Sequence, residues 1–236
     1  MPKPISISAV IITFNEEKYI EQCIKSLKSV VDEVVIVDSY STDKTQEICQ
    51  NLNVTFLQKD WLGYAETKNW GNSQAKNHII LSIDADEELS QELKKSILNL
   101  KQDGFVNVSY SFNRLNNYCG KWMKHGGWYP DKKIRIFNRE DAHWEGDVHE
   151  KLIFNPNINN KHIAGDLLHY SIESKEDHIS REKKYASLAE PYKNSVLALF
   201  SSVSKFVKMY FMKLGFLDGV LGFQLALISA KAKFWR

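Results

Sequence analysis

Over residues 5–90, short apolar runs alternate with segments of helical period, and that alternation leaves few folds open. Ile5–Phe14 (ISISAVIITF), Glu33–Val37, Val54–Leu57 and Ile79–Ile83 read as strands. The first is β-branched and nearly continuous in its apolar half, as a strand covered on both faces is. Between the strands, Tyr19, Ile20, Cys23, Ile24, Leu27 and Val31 recur at three- and four-residue spacing, the stripe of a helix with one buried face. Asn15-Glu16-Glu17 is expected to open that helix, with acids near its N-terminus. Ser39-Tyr40-Ser41-Thr42-Asp43 offers capping groups to a second helix that buries Ile48, Cys49 and Leu52, and Tyr64–Ala75 reads as a third. Strand–helix repeats with short connections predict a mostly parallel sheet with right-handed crossovers. Ligands of such sheets bind beyond the carboxyl ends of the strands.

Asn15, Asp38, Asp84 and Asp86 all fall at those ends. The last two belong to His78–Leu89 (HIILSIDADEEL), where a buried run gives way to four acids in five residues. Alternate positions on extended backbone put Asp84 and Asp86 on one side. So many carboxylates repel one another unless something positive sits among them, and a hard divalent cation sharing its oxygen ligands with a diphosphate is the leading candidate. The alternative is a solvated acidic turn ahead of a helix that starts near Ser90. Polar groups delivered to one edge by three separate strands favour a nucleotide and metal site. No G-x-x-x-x-G-K-[ST] occurs, and no G-x-G-x-x-G follows the first strand. A P-loop enzyme, a kinase and a Rossmann dehydrogenase are therefore not expected, and cations (a metal on the aspartates, with Lys68) must hold the phosphates.

Beyond the amphipathic helix at Ser90–Lys101 the texture changes. Asn107–Arg114 alternates as a strand, Tyr118–Pro130 (YCGKWMKHGGWYP) is rich in glycine and aromatics, and Ile134–Phe137 is a further strand. Gly126-Gly127 admits close backbone approach, and Trp122, Trp128 and Tyr129 offer flat faces that stack on sugar rings or fill a hairpin core. Trp144–Leu152 (WEGDVHEKL) gathers Glu145, Asp147, His149 and Glu150, of which His149 and Glu150 have the chemistry of a general base. His169, expected at another strand end, has a ring suited to a transition metal or to a structural hydrogen bond.

At 236 residues the chain is one large domain, or one with an appendage. A net charge of +2 carries no nucleic-acid signature, and no nucleic-acid partner is expected. Cys23, Cys49 and Cys119 have neither disulfide-framework nor zinc spacing. The N-terminus MPKPISIS lacks a long apolar segment, so the cytoplasm is the expected compartment. From Pro191 to Arg236 there are seven basic residues and one acid, Asp218. Wound as a helix, Val196, Leu199, Phe200, Val203, Phe206, Val207, Tyr210, Phe211 and Leu214 share one side, while Lys205, Lys208 and Lys213 take the other. A basic amphipathic helix suits an anionic membrane surface. Leu214–Ala230 is interrupted by Asp218, Gly219 and Gly222, so lying on the membrane is expected rather than crossing it. The alternative is a helical pair docked on its own domain or on a second copy in a homodimer.

Val10–Ile20 (VIITFNEEKYI), Val34–Thr45 (VVIVDSYSTDKT) and Leu81–Ser90 (LSIDADEELS) together resemble the inverting family 2 glycosyltransferases of the GT-A fold. The ordered set GGWYPDKKIRIF, VHEKL, LHYS and GFLDGVLG resembles a narrower group, the bacterial lipopolysaccharide-core glucosyltransferase-like enzymes. The resemblance implies an α/β GT-A domain over 1–190, with a nucleotide-binding half to about 103 and an acceptor half beyond it. Residues 191–236 are expected to form a C-terminal amphipathic helical appendage. It further implies that Thr13, Phe14, Asn15 and Glu16 border the nucleoside and that Asp38 binds base or ribose. Asp84 would contact ribose, Asp86 would hold a Mn2+ or Mg2+ ion on the donor diphosphate, and Lys68 would lie near base or phosphates. Trp128 would meet the acceptor, and His169 would be a third metal or phosphate ligand. The Glu-Asp pair that often follows the glycine-aromatic loop in the wider family is missing, so Glu150 stands nearest to the role of base, with Asp131 behind it. The implied reaction moves a hexose, with UDP-glucose the leading donor, to a glycolipid or saccharide acceptor at the inner membrane's cytoplasmic face. The rivals are a sugar nucleotidylyltransferase, whose glycine-rich basic N-terminal loop is replaced here by TFNEE, and a catalytically idle membrane-surface module that binds nucleotide sugars.

Overall fold

The computed structural model describes residues 5–103, 105, 107–146, 150–188 and 194–235. The expected strand–helix alternation is present from the start: β1 (Ile7–Thr13), α1 (Ile20–Leu27), β2 (Glu33–Asp38), α2 (Thr45–Asn51), β3 (Thr55–Gln58), α3 (Tyr64–Gln74) and β4 (Ile79–Ser82). Next come β5 (Glu87–Leu89), α4 (Gln91–Asp103), β6 (Val108–Tyr118), β7 (Lys121–Trp122), β8 (Asp131–Asn138), β9 (Ala142–Glu145), β10 (Lys151–Phe154) and β11 (Asn159–Ile172). Helices α5 (Lys175–Ser187), α6 (Ser195–Val207) and α7 (Gly219–Lys231) complete the chain, with a π-helical turn at Lys208–Met212 and a 3-10 turn at Gly215–Asp218 between the last two.

The chain divides into two compact units, one of Met1–Asn113 with Lys132–Leu168 and one of Arg114–Asp131 with His169–Arg236. This differs from a boundary at residue 190. The tail buries Met209, Leu225 and Ala226 in one cluster with Tyr118, Met123 and Ile172, so it shares a core with the Gly-aromatic segment. Burying large side chains such as Met209 and Leu225 is worth about 1.5–3 kcal/mol apiece.

In the first unit the strand order begins β3-β2-β1-β4, and all three pairings are parallel. Beyond β4 comes β8, which is antiparallel to it with Ile80 opposite Phe137, and the order continues β6-β11-β5. Thr13 pairs with Asp38 and Val10 with Ser82, so the carboxyl ends of β1, β2 and β4 open on one edge of the sheet. Helix α1 covers one face through Ile20, Cys23, Ile24 and Leu27, all fully buried. On α3, Gly71 sits where an added Cβ would come within 2.8 Å of both Val10 Cγ1 and Val37 Cγ2. This bare position lets α3 press against β1 and β2. Gly71→Ala is expected to destabilise the fold by about 1–2 kcal/mol, the overpacking cost outweighing alanine's helix preference; a denaturant midpoint at or above the wild-type value would refute this.

Candidate functional site

The expected helix start at Asn15 moves five residues on, to Ile20, because the preceding backbone is occupied elsewhere. Asn15 adopts a left-handed φ of 57°, and its N–H donates to Ser41 Oγ at 2.8 Å while its Oδ1 accepts from the Thr42 N–H at 2.8 Å. The Glu16 N–H donates to Thr45 Oγ1 at 2.8 Å and the Glu17 N–H to Asp43 Oδ2 at 3.0 Å. The loops after β1 and β2 are thus knitted into one surface, on which Phe14 is exposed. Asp38 is the knot beneath it. Fully buried, it accepts from Thr13 Oγ1 at 3.0 Å, from the Ser41 N–H at 2.9 Å and from Ser41 Oγ. Through these bonds it shapes the loop where base or ribose is expected.

After β4, burial alternates strictly: Ile83, Ala85, Glu87 and Leu89 are buried, while Asp84, Asp86 and Glu88 are partly exposed. Positive charge does sit among the acids, and the protein supplies it. Lys68 Nζ lies 3.1 Å from Asp84 Oδ1 and 2.9 Å from Glu150 Oε1, with the Trp144 ring centroid at 4.8 Å. Arg135 Nη2 lies 2.7 Å from Asp84 Oδ2 and 2.8 Å from Glu87 Oε1. Glu87 closes the circuit by accepting from the Asp84 N–H at 2.9 Å. A chain Glu150–Lys68–Asp84–Arg135–Glu87 therefore runs beneath the strand ends. Burial by itself would raise the Asp84 pKa, but Arg135 and then Lys68 outweigh it and hold the carboxyl well below the usual carboxylate range. Burial would lower the Arg135 pKa, and Asp84 and Glu87 push it above the ordinary arginine value.

The sign of this linkage is definite. Because the folded-state pKa of Asp84 is depressed, its contribution is fully present above the unfolded value of about 4 and is lost as pH falls toward the folded value. Unfolding free energy is expected to drop as pH falls below about 4, and less steeply in Asp84→Asn; parallel acid limbs in the two proteins would contradict this.

Two elements put Glu150 within reach of Lys68. Asn69, one residue along α3, docks β9 by donating Nδ2 to the Trp144 carbonyl and accepting the Trp144 N–H, both at 2.8 Å. The β9–β10 antiparallel pair then fixes the strand that Glu150 precedes. Asp147 and His149, also considered from sequence, lie outside the described residues.

Trp128, Asp131 and His169 lie in the second unit. Asp131 Oδ2 is held by Arg114 Nη2 at 2.9 Å and Nε at 3.0 Å. Trp128, half-buried and edge-on to Tyr118 at 5.7 Å, accepts at its carbonyl from Asn116 Nδ2 at 3.2 Å. Arg114, Asn116, Trp128, Asp131 and Ser171 border a recess of about 360 Å³. His169 stands within β11 rather than at its end, its Nδ1 2.6 Å from Asn116 Oδ1.

The structure thus joins Lys68, Asp84 and Glu150, and sets Trp128 beside Asp131. It does not gather His169 into a metal cluster: among the described residues, no group of three or more His, Cys, Asp and Glu side chains could hold an ion. Asp86 remains a half-exposed hard-oxygen donor beside the charged chain, which fits a magnesium-type ion bound through one or two carboxylates and substrate phosphates. Arg135 and Glu87 were missed from sequence. The usable signal was a lone arginine between Ile134 and Ile136 in a buried strand, which demands an acidic partner.

Comparison with known proteins gives the family. Residues 8–165 match the family described as Glycosyl transferase family 2. An uncharacterized glycosyltransferase of Rickettsia typhi is 32% identical over 250 residues, covering 98% of this chain and 85% of the relative. The lipopolysaccharide core biosynthesis glycosyltransferase LpsC of Rhizobium meliloti is 28% identical over 229 residues, covering 93% of this chain and 84% of its own. Among solved structures, S. aureus TarS residues 1–349 in complex with UDP-GlcNAc superposes with a TM-score of 0.50 at 17% identity, covering 97% of this chain and 81% of that one. That likeness shows the GT-A fold. The extent of the family match and the full-length relatives together establish that the chain belongs to glycosyl transferase family 2 and is a glycosyltransferase.

Proposed function

We propose that the protein is a metal-dependent inverting hexosyltransferase that uses a nucleotide sugar, with UDP-glucose the leading donor, and a membrane-held glycolipid acceptor. The observation that carries the reading is the charged chain at the carboxyl edge of the parallel strands, with Asp86 half-exposed beside it. LpsC, a relative along most of the chain, is named for lipopolysaccharide core biosynthesis, which supports a glycolipid acceptor. TarS shares the fold and was crystallised with UDP-GlcNAc, which is compatible with a UDP-linked donor.

In this reading the interlocked Asn15–Ser41–Thr42 surface, with Phe14 exposed on it, receives the nucleoside, and Asp38 keeps that surface in shape. Asp86 would hold the divalent cation together with the donor phosphates, and the bound ion would offset the charge that grows on the leaving diphosphate. Glu150 takes the proton from the acceptor hydroxyl as it attacks the anomeric carbon. Lys68 occupies Glu150 Oε1 at 2.9 Å, so the other oxygen serves as the base. One displacement inverts the anomeric configuration. Within the second unit, Trp128 would offer a flat face to acceptor sugar in the recess it borders.

The tail supports a membrane role. Helix α6 turns Ala198 and Ser202 inward, with Ser202 Oγ donating to the Ala230 carbonyl at 2.8 Å, while Phe200 is 78% exposed. Val196, Leu199, Val203 and Val207 are also exposed. Large side chains outside and small ones inside invert the pattern of a soluble helix. Ser195–Met212 and Gly215–Phe234 are long and apolar enough to cross a membrane by length and composition. With Lys205 and Lys208 on the side of the helix away from the exposed stripe, the reading is a helix lying in the interface at the cytoplasmic face.

The donor part is tested by calorimetric titration with UDP-glucose, UDP-galactose, UDP-GlcNAc and ADP-heptose, each with magnesium, manganese or EDTA. Binding of one donor only when metal is present is the expected result. Equal binding with EDTA would remove the metal from the account.

A further inference from the structure

The tail and the Gly-Gly turn are lashed together by bonds that the transferase chemistry does not explain. The backbone N–H of His125 donates to Asp218 Oδ2 at 2.8 Å, and His125 Nδ1 lies 3.1 Å from Oδ1. Lys121 Nζ donates to the Asp218 carbonyl at 2.6 Å, and the Gly126 N–H donates to the Lys213 carbonyl at 2.8 Å. Asp218, the tail's single acid, is buried and spent on this task. The positive φ of Gly126 (67°) and Gly127 (82°) bends the loop so that Lys213 lies along bare backbone. A Cβ on Gly127 would stand 2.7 Å from Lys213 Nζ.

Between these two segments is a recess of about 380 Å³ whose lining includes Lys124, Lys213, Tyr129, Pro130, Met212 and Leu214. Two ammonium groups with no carboxylate partner among the described residues share it with exposed aliphatic side chains, Met212 being 74% exposed. Soluble anions have no use for Met212 and Leu214, and a neutral lipid has none for the lysines. The combination suits a phosphate attached to an alkyl chain, and the volume lies at the small end of ordinary ligand sites. The recess shares Gly127 and Pro130 with the Trp128 recess, so a sugar against Trp128 and a phosphate between the lysines would be neighbours on one molecule.

We propose that this recess binds the phosphate head of a lipid-linked saccharide, so that the acceptor is recognised through its anionic, membrane-held end as well as its sugar. The inference rests on the reading of a membrane-held glycolipid acceptor and names its chemical class.

Calorimetry with dodecyl phosphate below its micellar concentration, an uncharged dodecyl glycoside and inorganic phosphate tests it on wild type, Lys124→Gln and Lys124→Gln/Lys213→Gln. Both lysines are exposed, and melting midpoints verify that the variants fold. Wild type is expected to bind dodecyl phosphate about thirtyfold more tightly than the glycoside, an advantage set by two lysines near a lipid phosphate. The single variant should lose part of that preference and the double variant nearly all of it. Unchanged preference in the double variant would overturn the site. Inorganic phosphate binding as tightly as dodecyl phosphate would overturn the lipid source in favour of a soluble anion. Nucleotide release from UDP-glucose by wild type, measured alongside, separates the readings. Its absence counts against the transferase reading, whereas release without dodecyl phosphate binding counts against the recess alone.

Discussion

Arg135→Met is expected to destabilise the fold by about 3–5 kcal/mol, the cost of stranding a buried charge by removing its partner. For a chain of this size that lowers the melting temperature by on the order of 10 °C. The guanidinium is the group that lets Glu87 be fully buried, and it shares Asp84 with Lys68. Without it, Asp84 keeps the ammonium at 3.1 Å while Glu87 loses its 2.8 Å guanidinium contact. Losing that positive charge makes the buried Glu87 carboxylate costly to keep ionised. Adding Glu87→Gln to Arg135→Met should recover part of the loss, because an uncharged amide costs less to bury than a stranded carboxylate. Arg135→Lys should fall between wild type and methionine, since lysine keeps the positive charge but not the rigid planar group that sets one nitrogen between Asp84 and Glu87. Urea denaturation of the four proteins measures all of this, and a methionine variant within about 0.5 kcal/mol of wild type, the range of an ordinary surface change, would refute the assignment.

Asp86→Ala is expected to have the opposite profile: transfer falls by about a hundred- to a thousandfold, on the several-kcal/mol scale of metal-ion stabilisation of a leaving group. Stability should move by no more than about 0.5 kcal/mol. The reason is position. Asp86 lies partly exposed on the turn between β4 and β5, while the Lys68 and Arg135 pairs hold Asp84 and Glu87. A variant that melts well below wild type would place Asp86 among the structural acids. A variant with full turnover would move the metal to other ligands.

The contrast between Arg135 and Asp86 shows where sequence reading reached its limit. Periodicity located β1 to β4 and α1 to α3, because each element buries its own apolar stripe and the signal is local. The strand ends carrying Asn15, Asp38, Asp84 and Asp86 followed from that. The neutralisation of the acids did not, because Lys68 and Arg135 arrive from elements 16 and 51 residues away from Asp84 in the numbering. Repulsion among the acids was legible, and the identity of the cations was not. Asn15-Glu16-Glu17 shows the same limit on a smaller scale: acids before a helix suggest a first turn, yet their N–H groups serve Ser41, Thr45 and Asp43, which lie 26 to 29 residues on. Most of the tail's apolar stripe is exposed, but Phe206 and Tyr210 pack against a cluster with Tyr118 and Met123, a union that depended on contacts about ninety residues distant in sequence.

The central claim is that Asp86 and the charged chain beside it serve the metal-dependent departure of a nucleoside diphosphate. Release of free UDP from UDP-glucose by the wild-type chain, with manganese or magnesium and then with EDTA, tests it most directly. The account predicts steady release with either metal, abolished by EDTA and restored when metal is returned in excess. Release that continues undiminished in EDTA would contradict it.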